Sequence, residues 1–364
     1  RDRRDTVRVV ITGASGNVGT ALLRLFADEA PEWDIVGVVR RPPEPEGVYR
    51  HVEWQELDLT EPDATQRLTQ IVKGADAVVH LAWGFQPTRN TEYLTRLGVG
   101  GTSAILQAAH QVSVPHLIHM SSVGTYAAGR YTQRVDESWI TSGIPSSPYS
   151  RDKSAAEELL NDYEREHGDD AIPIARMRPG FIVQRAAASG LMRYALPGWL
   201  PMLAVPMLPV LPLDRRLCIP LIHADDVAAA ILRALERRAT GAFNLAADPP
   251  ITRTEVAKVL GSFQIHVPSR VLSTLVDLSW RAGLQPVDRG WLDLAFSVPL
   301  LDCSRARSEL GWEPQWSSVA ALTDVVTGVA LQSHSDSPPL RARSMIEQLR
   351  RDFTEGMLTT RQLP

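Results

Sequence analysis

The chain has 364 residues, 44% of them apolar and 22% charged, and a formal net charge of −4. That length allows a well-buried core, and the composition is that of a globular chain rather than a disordered one. A negative net charge argues against a general nucleic-acid binder, which carries a basic face, and leaves a small molecule as the expected partner. Cys218 and Cys303 are the only cysteines. They are too few for a disulfide framework and lack metal-ligand spacing, so a reducing, cytoplasmic setting and no metal site are expected.

The opening RDRRDTVRVV passes from charge straight into a strand, without the apolar run and small-residue cleavage site of a secretory leader. VRVVITGAS (7–15) is β-branched and ends in glycine and small residues, and NVGTALLRLFADE (17–29) repeats its apolar positions at helical spacing. WDIVGVVRR (33–41), VEWQELDLT (52–60), ADAVVHLAW (75–83), HLIHMSS (116–122) and PIARMRPGFIV (173–183) read as further strands, with helices such as DATQRLTQIVKG between some of them. HADDVAAAILRALERR (223–238) predicts a helix with Asp225 or Asp226 as N-cap or first-turn charge, and GAFNLAAD predicts one more strand. The stretch ALPGWLPMLAVPMLPVLPL (195–213) is uncharged and as long as a membrane span, but its five prolines break the backbone too often to be satisfied in lipid. It reads as an apolar lid or pocket wall, or as a core, dimer, partner or peripheral membrane contact. The last residues are polar and Ser/Pro-punctuated, as in a peripheral tail.

Alternating helices and continuously apolar strands predict an α/β fold with a doubly wound parallel sheet. Such sheets bind ligands at the carboxyl ends of their strands, where Ser15, Arg40, Asp58, Trp83 and Ser122 fall. Gly13, Gly16 and Gly19 lie between the first strand and the first helix, where a tight turn brings backbone N–H groups to a pyrophosphate; this makes the sheet Rossmann-type. The second strand ends in Arg40-Arg41 instead of an acidic residue. Two guanidiniums there favour the 2′-phosphate of NADP(H), with NAD(H) as the alternative; solvated surface arginines are the bland reading. Asp58 has two readings, an acceptor for the adenine amine and a cap for the next turn. The expected division is 7–183 mainly dinucleotide-binding, 184–330 mainly a smaller C-terminal substrate lobe with return to the core at about 216–247, and 331–364 a peripheral tail.

Tyr149 and Lys153 stand one helical turn apart in PYSRDKSAAEELL (148–160), so both leave one face. Together with the glycine loop, Asp58-Leu59, His80-Leu81-Ala82, Ser121-Ser122, Arg178-Pro179-Gly180 and a closing LGWEP, the pair resembles the extended short-chain dehydrogenase/reductase family, over residues 7–316. The resemblance implies that Tyr149 exchanges a proton with substrate, that Lys153 holds the nicotinamide ribose and favours the Tyr149 phenolate, and that Ser122 hydrogen-bonds the reacting oxygen. It extends the cofactor set to Asn17, Val18, Leu59, Leu81, Ala82, Trp83, Pro179, Gly180 and Ile182, makes Phe85 and Phe181 substrate neighbours, and implies a homodimer packed through helices including the one bearing Tyr149.

Three positions depart from the family pattern. Gly98 stands where an asparagine is usual, which interrupts a water-linked proton path that nearby Asn90 is a weak candidate to replace. Ser122 is followed by Val123-Gly124 rather than Asp-Glu, which disfavours dehydration. Phe181 stands where sugar-nucleotide enzymes carry an amide. The apolar wall moves the expected substrate toward a partly apolar carbonyl or secondary alcohol. A nucleotide-sugar epimerase with tightly held NAD and a catalytically silent cofactor-binding regulator are the alternatives. Trp83 and Phe85 read equally as loop anchors; His80 and His223 read as structural residues, and Arg130 and Arg134 as a solvated loop.

Overall fold

A computed structural model describes residues 6–88, 90–195, 209–285 and 287–342. In chain order its elements are β1 (Arg8–Thr12), α1 (Asn17–Glu29), β2 (Asp34–Val39), β3 (Glu53–Glu56), α2 (Ala64–Val72), β4 (Ala77–His80), α3 (Thr91–Thr95), α4 (Gly101–Gln111), β5 (Leu117–Met120), β6 (Arg134–Val135), α5 (Pro148–His167), β7 (Ile174–Pro179) and β8 (Phe181–Val183). They continue with α6 (Ala188–Ala195), β9 (Val210–Leu213), β10 (Cys218–His223), α7 (Ala224–Arg237), β11 (Gly241–Leu245), β12 (Ala247–Thr252), α8 (Arg253–Leu260), β13 (Phe263–His266), α9 (Ser269–Arg281), α10 (Arg289–Ser297), β14 (Leu300–Leu301) and α11 (Ser318–Ala330).

Seven strands form one sheet in the order β11-β7-β5-β4-β1-β2-β3, and every neighbouring pair is parallel. The central strands are apolar on both faces because helices cover both: Val9 and Ile11 look into one buried cluster with α1 and α7, and Val10 into another with α2 and α4. The strand order reverses between β1 and β4, which opens a crevice at their carboxyl ends. The fold is α/β and Rossmann-like, as the sequence implies.

The run read as one strand over 173–183 is two. Pro179 has no amide to donate, Gly180 donates to the Leu245 carbonyl, and a side chain at Gly180 would collide with the Pro220 carbonyl. β7 therefore stays in the main sheet, while β8 pairs with β10 in a second sheet with β12. Asp225 and Asp226 lie in the first turn of α7, and His223 is its N-cap, accepting from the Asp225 amide at 3.1 Å. Of the proline-rich stretch, residues 196–208 lie outside the described residues, as do 343–364 of the tail; Val210–Leu213 form β9, paired with β13.

α5 begins at Ser147, whose hydroxyl accepts from the Ser150 amide, followed by Pro148 at the first helical position. Further along the same face Glu157 is fully buried. It accepts from Ser121 Oγ at 2.6 Å, Arg176 Nη1 at 2.9 Å, and Arg178 Nε and Nη2 at 2.8 and 2.9 Å. Arg178 also donates to the Tyr126 hydroxyl at 3.0 Å, and Tyr126 donates to Asn244 on β11 at 2.7 Å. Burial pushes the Glu157 carboxyl up, but the hydrogen bonds and charges of Arg178 and Arg176 outweigh it and bring it down from 4.5 to about 2. A folded-state value below the unfolded one means that this stabilisation is complete above about pH 4.5 and is lost as pH falls toward about 2.

Glu157→Gln removes the charge shared by two buried guanidiniums and is expected to cost about 3–5 kcal/mol, read from urea unfolding midpoints at neutral pH. The gap between variant and wild type should narrow as pH falls below about 4.5; a constant gap contradicts the assignment.

Candidate active site

The turn after β1 forms one end of a cleft at the carboxyl edge of the sheet. Gly13 has φ of +70°, and a Cβ there would lie 2.8 Å from the Ala82 backbone, so only glycine lets the two chains approach. α1 starts at Asn17 with no side-chain cap and no acidic residue in its first turn, leaving its first amides directed at the cleft. Gln184 braces this turn by donating to the Asn17 carbonyl at 2.7 Å and to its Oδ1 at 2.8 Å, while Asn17 Nδ2 donates to the Ile182 carbonyl. A helix N-terminus with uncapped amides and a glycine that permits close approach fits the pyrophosphate of a dinucleotide.

Gly13, Ser15, Gly16, Asn17, Val18, Gly19, Arg40, Arg41, Leu59, Leu81, Ala82, Trp83 and Phe85 all line this cleft. Asp58 does not line it. Its Oδ1 accepts from the Thr60 amide and hydroxyl at 2.9 and 2.8 Å, as a turn cap does, and its Oδ2 accepts from the Tyr93 hydroxyl at 3.2 Å. Arg40 Nη1 in turn donates to Tyr93 at 3.3 Å, so Tyr93, which the sequence reading passed over, links the second and third strand ends. Pro179, Gly180, Phe181 and Ile182, at the β7–β8 break, do not line this cleft; of the four, Ile182 accepts from Asn17 Nδ2 through its carbonyl. Pro338–Leu340, from the segment read as peripheral tail, close one side of the cleft. The neighbouring stretch is anchored by the Ser189 amide, which donates to the Ser333 carbonyl at 3.1 Å, and by a 2.6 Å hydrogen bond between Tyr49 and Ser335.

Tyr149, Ser122 and Lys153 meet near the Trp83 and Phe85 end. Tyr149 and Ser122 flank Gly124, where a Cβ would lie 3.0 Å from the Tyr149 ring and 3.3 Å from Ser122 Oγ, which explains the glycine after Ser122-Val123. Ser122 Oγ accepts from the Gly124 amide at 3.0 Å. The phenol is surrounded by aromatic rings: Phe85 edge-on at 4.9 Å, Trp83 edge-on at 6.4 Å, and Trp291 stacked at 5.8 Å, with Phe85 and Trp291 also in contact at 4.7 Å. Burial pushes the Tyr149 pKa up from 10.0 to about 12, against the Ser122 hydrogen bond that lowers it.

The Lys153 ammonium lies 5.9 Å from the Tyr149 ring centre, is only 2% exposed, donates to the Met120 carbonyl at 2.8 Å and rests 3.5 Å over the face of Trp83. Burial pulls its pKa well below the usual lysine value, opposed by Glu157. With its pKa raised to about 12, Tyr149 is a neutral phenol at neutral pH.

Trp83 also accounts for Gly98. A Cβ at Gly98 would lie 2.8 Å from the Trp83 indole, so the ring fills the space that a side chain there would need. Asn90 does not reach this place, because it caps α3 by accepting from the Tyr93 amide at 3.1 Å. His80 is structural: its ring bonds to Thr12 at 2.7 Å and Thr102 at 3.3 Å, and burial, then the Lys153 charge, bring its pKa from 6.5 to about 3. Trp291 and Glu157 were not singled out from the sequence. Glu157 carried a signal, four residues after Lys153 on the same helix face, whereas nothing local marks Trp291.

A family model described as the NAD dependent epimerase/dehydratase family matches residues 9–246. An uncharacterised Mycobacterium tuberculosis protein is 24% identical over 325 residues, which are 89% of this chain but 30% of that protein, so the chain spans under a third of its length. An uncharacterised epimerase/dehydratase of Staphylococcus aureus is 24% identical over 333 residues, covering 88% of this chain and 95% of that protein. Among solved structures, a UDP-glucose 4-epimerase from Stenotrophomonas maltophila, with bound NAD and formylated UDP-arabinopyranose, superposes with a TM-score of 0.68 at 21% identity, covering 90% and 99% of the two chains. A UDP-glucose 4-epimerase from Thermotoga maritima, with UDP-glucose, gives 0.65 at 17%, covering 88% and 98%. At these identities the superpositions show the shared fold.

Gly98→Asn should overpack against Trp83 and cost about 1–3 kcal/mol of stability. Adding Trp83→Ala should recover part of that loss, so a double-mutant cycle from urea midpoints should show coupling of about 0.5–3 kcal/mol. Strict additivity would mean that the indole does not occupy this space.

Proposed function

The chain belongs to the NAD-dependent epimerase/dehydratase family, and from that premise we propose that it is an NADP(H)-dependent oxidoreductase which reduces a carbonyl, or oxidises the matching secondary alcohol, on a partly apolar small molecule. The glycine loop and the first amides of α1 would hold the nicotinamide dinucleotide, which would supply or accept the hydride when bound. Tyr149 donates the proton to the carbonyl oxygen in the reductive direction and recovers it in the oxidative one. Ser122 steadies the same oxygen by a hydrogen bond, and Lys153, one turn from Tyr149, contributes positive charge and a ribose contact. Arg40 and Arg41, lining the cleft beyond β2, support NADP(H) over NAD(H). The resemblance also favours a homodimer packed through α5.

The observation that carries this reading is the placement of Tyr149 beside Ser122, across Gly124, inside the wall of Trp83, Phe85 and Trp291. Such a wall desolvates a carbonyl and favours flat apolar surface over a sugar. The second reading, a nucleotide-sugar epimerase with tightly held NAD, is favoured by the UDP-sugars and NAD of the solved neighbours and disfavoured by Phe181. Purified protein assayed with NADPH against aryl and alicyclic ketones separates the two. Turnover with exchangeable NADPH supports the first; copurifying NAD with interconversion of UDP-sugars supports the second; binding without any turnover leaves a silent cofactor-binding protein.

Tyr149→Phe is expected to lower kcat by about 10²–10⁴-fold while dinucleotide affinity stays near the wild-type value; retained kcat contradicts the assignment. Arg40→Asp should weaken NADPH about 10–100-fold more than NADH, measured by fluorescence titration, and equal losses would mean that Arg40 does not read the phosphate.

A further inference from the structure

The chain leaves α11 through a left-handed turn at Gln332, whose φ is +51°. The Gln332 amide donates to the Val329 carbonyl at 3.2 Å and the Ser333 amide to the Gly328 carbonyl at 2.8 Å, which fixes the root of the segment that follows. Ser189 on α6 holds this root as well, its amide donating to the Ser333 carbonyl at 3.1 Å and its hydroxyl to the Gln332 carbonyl at 3.2 Å. Toward α1, Ser335 is joined to Tyr49 at 2.6 Å, and Tyr49 is joined to Thr20 of α1 at 3.0 Å. The segment then folds back on itself, the Ser335 amide donating to the Leu340 carbonyl at 3.0 Å and the Leu340 amide to the Ser337 carbonyl at 3.1 Å. This turn presents Pro338, Pro339 and Leu340 to the cleft that Gly13 and Gly16 also line. The fit is close, since a Cβ at Gly190 would lie 2.9 Å from the Pro339 carbonyl oxygen.

Inside the turn, Ser337 is fully buried and its Oγ has no hydrogen-bond partner among the described residues. A buried hydroxyl without a partner costs stability that is regained when it reaches water, so the closed position carries a penalty that opening relieves. We propose that residues 334–340 are a clasp on the dinucleotide cleft, which swings out from the root at Gln332 and Ser333 to admit the dinucleotide and closes with Pro338–Leu340 as part of its binding site. The proposal rests on the reading of the cleft as a dinucleotide site and not on the reaction assigned to Tyr149.

One anchor has to break both for entry and for release, so a gate changes the two rates together, whereas a residue that merely supports the bound state changes release alone. Stopped-flow nicotinamide fluorescence of the full chain with NADPH, followed by displacement with excess NADP⁺, reads both rates. Ser335→Ala removes the bond to Tyr49 and is expected to raise association and release alike, by about 2–10-fold each, with Kd near the wild-type value. Ser337→Ala removes the uncompensated hydroxyl and is expected to slow both by about 2-fold or more. A change in release alone, rates that rise with Ser337→Ala, or unchanged rates in either variant would overturn the clasp and leave the dinucleotide site standing. Failure of the full chain to bind either NADPH or NADH would overturn the dinucleotide reading and the clasp with it.

Discussion

Burying one carboxylate under a helix is the constraint from which the site follows. Glu157 cannot sit in the core without its guanidinium partners, and Arg176 and Arg178 on β7 cannot sit there without it. Satisfying all of them fixes the rotation and height of α5 against the sheet. Tyr149, Lys153 and Glu157 are spaced at i, i+4 and i+8, so the same rotation delivers the phenol and the ammonium to the carboxyl ends of β4 and β5. Ser121 extends the arrangement, since its hydroxyl bonds Glu157 while its neighbour Ser122 lies with the Tyr149 ring against Gly124.

A consistent exchange of polar for aromatic surface runs around that phenol. Gly98 removes one side chain and Trp83 fills its space, taking the Lys153 ammonium on its ring face. A buried ammonium needs compensation, and the Met120 carbonyl, the indole face and the Glu157 charge supply it together. Phe85 and Trp291 complete the enclosure from a loop and from α10. Raising the Tyr149 pKa by burial keeps the proton on the phenol.

What was legible in the sequence followed from local rules. Continuous apolar runs and helical periodicity gave the seven strands and their helices, the glycine spacing placed the loop at the first β–α turn, and the four-residue interval put Tyr149 and Lys153 on one face. Contacts between distant segments were not legible. Trp291 stacks on a ring 142 positions earlier (291 − 149), and Pro338–Leu340 close a cleft that begins at Gly13. The break at Gly180 was hidden because both halves of 173–183 are strands and only their partners differ. The link from Arg40 through Tyr93 to Asp58 was hidden because a tyrosine in a short helix carries no motif.

A crystal structure with NADPH bound tests the central claim most directly. The account requires the pyrophosphate against the first amides of α1, the 2′-phosphate against Arg40 and Arg41, and the nicotinamide beside the Tyr149 and Ser122 hydroxyls, with Glu157 still joined to Arg176 and Arg178. A dinucleotide bound elsewhere, or a nicotinamide out of reach of Tyr149 with α5 in place, would contradict it.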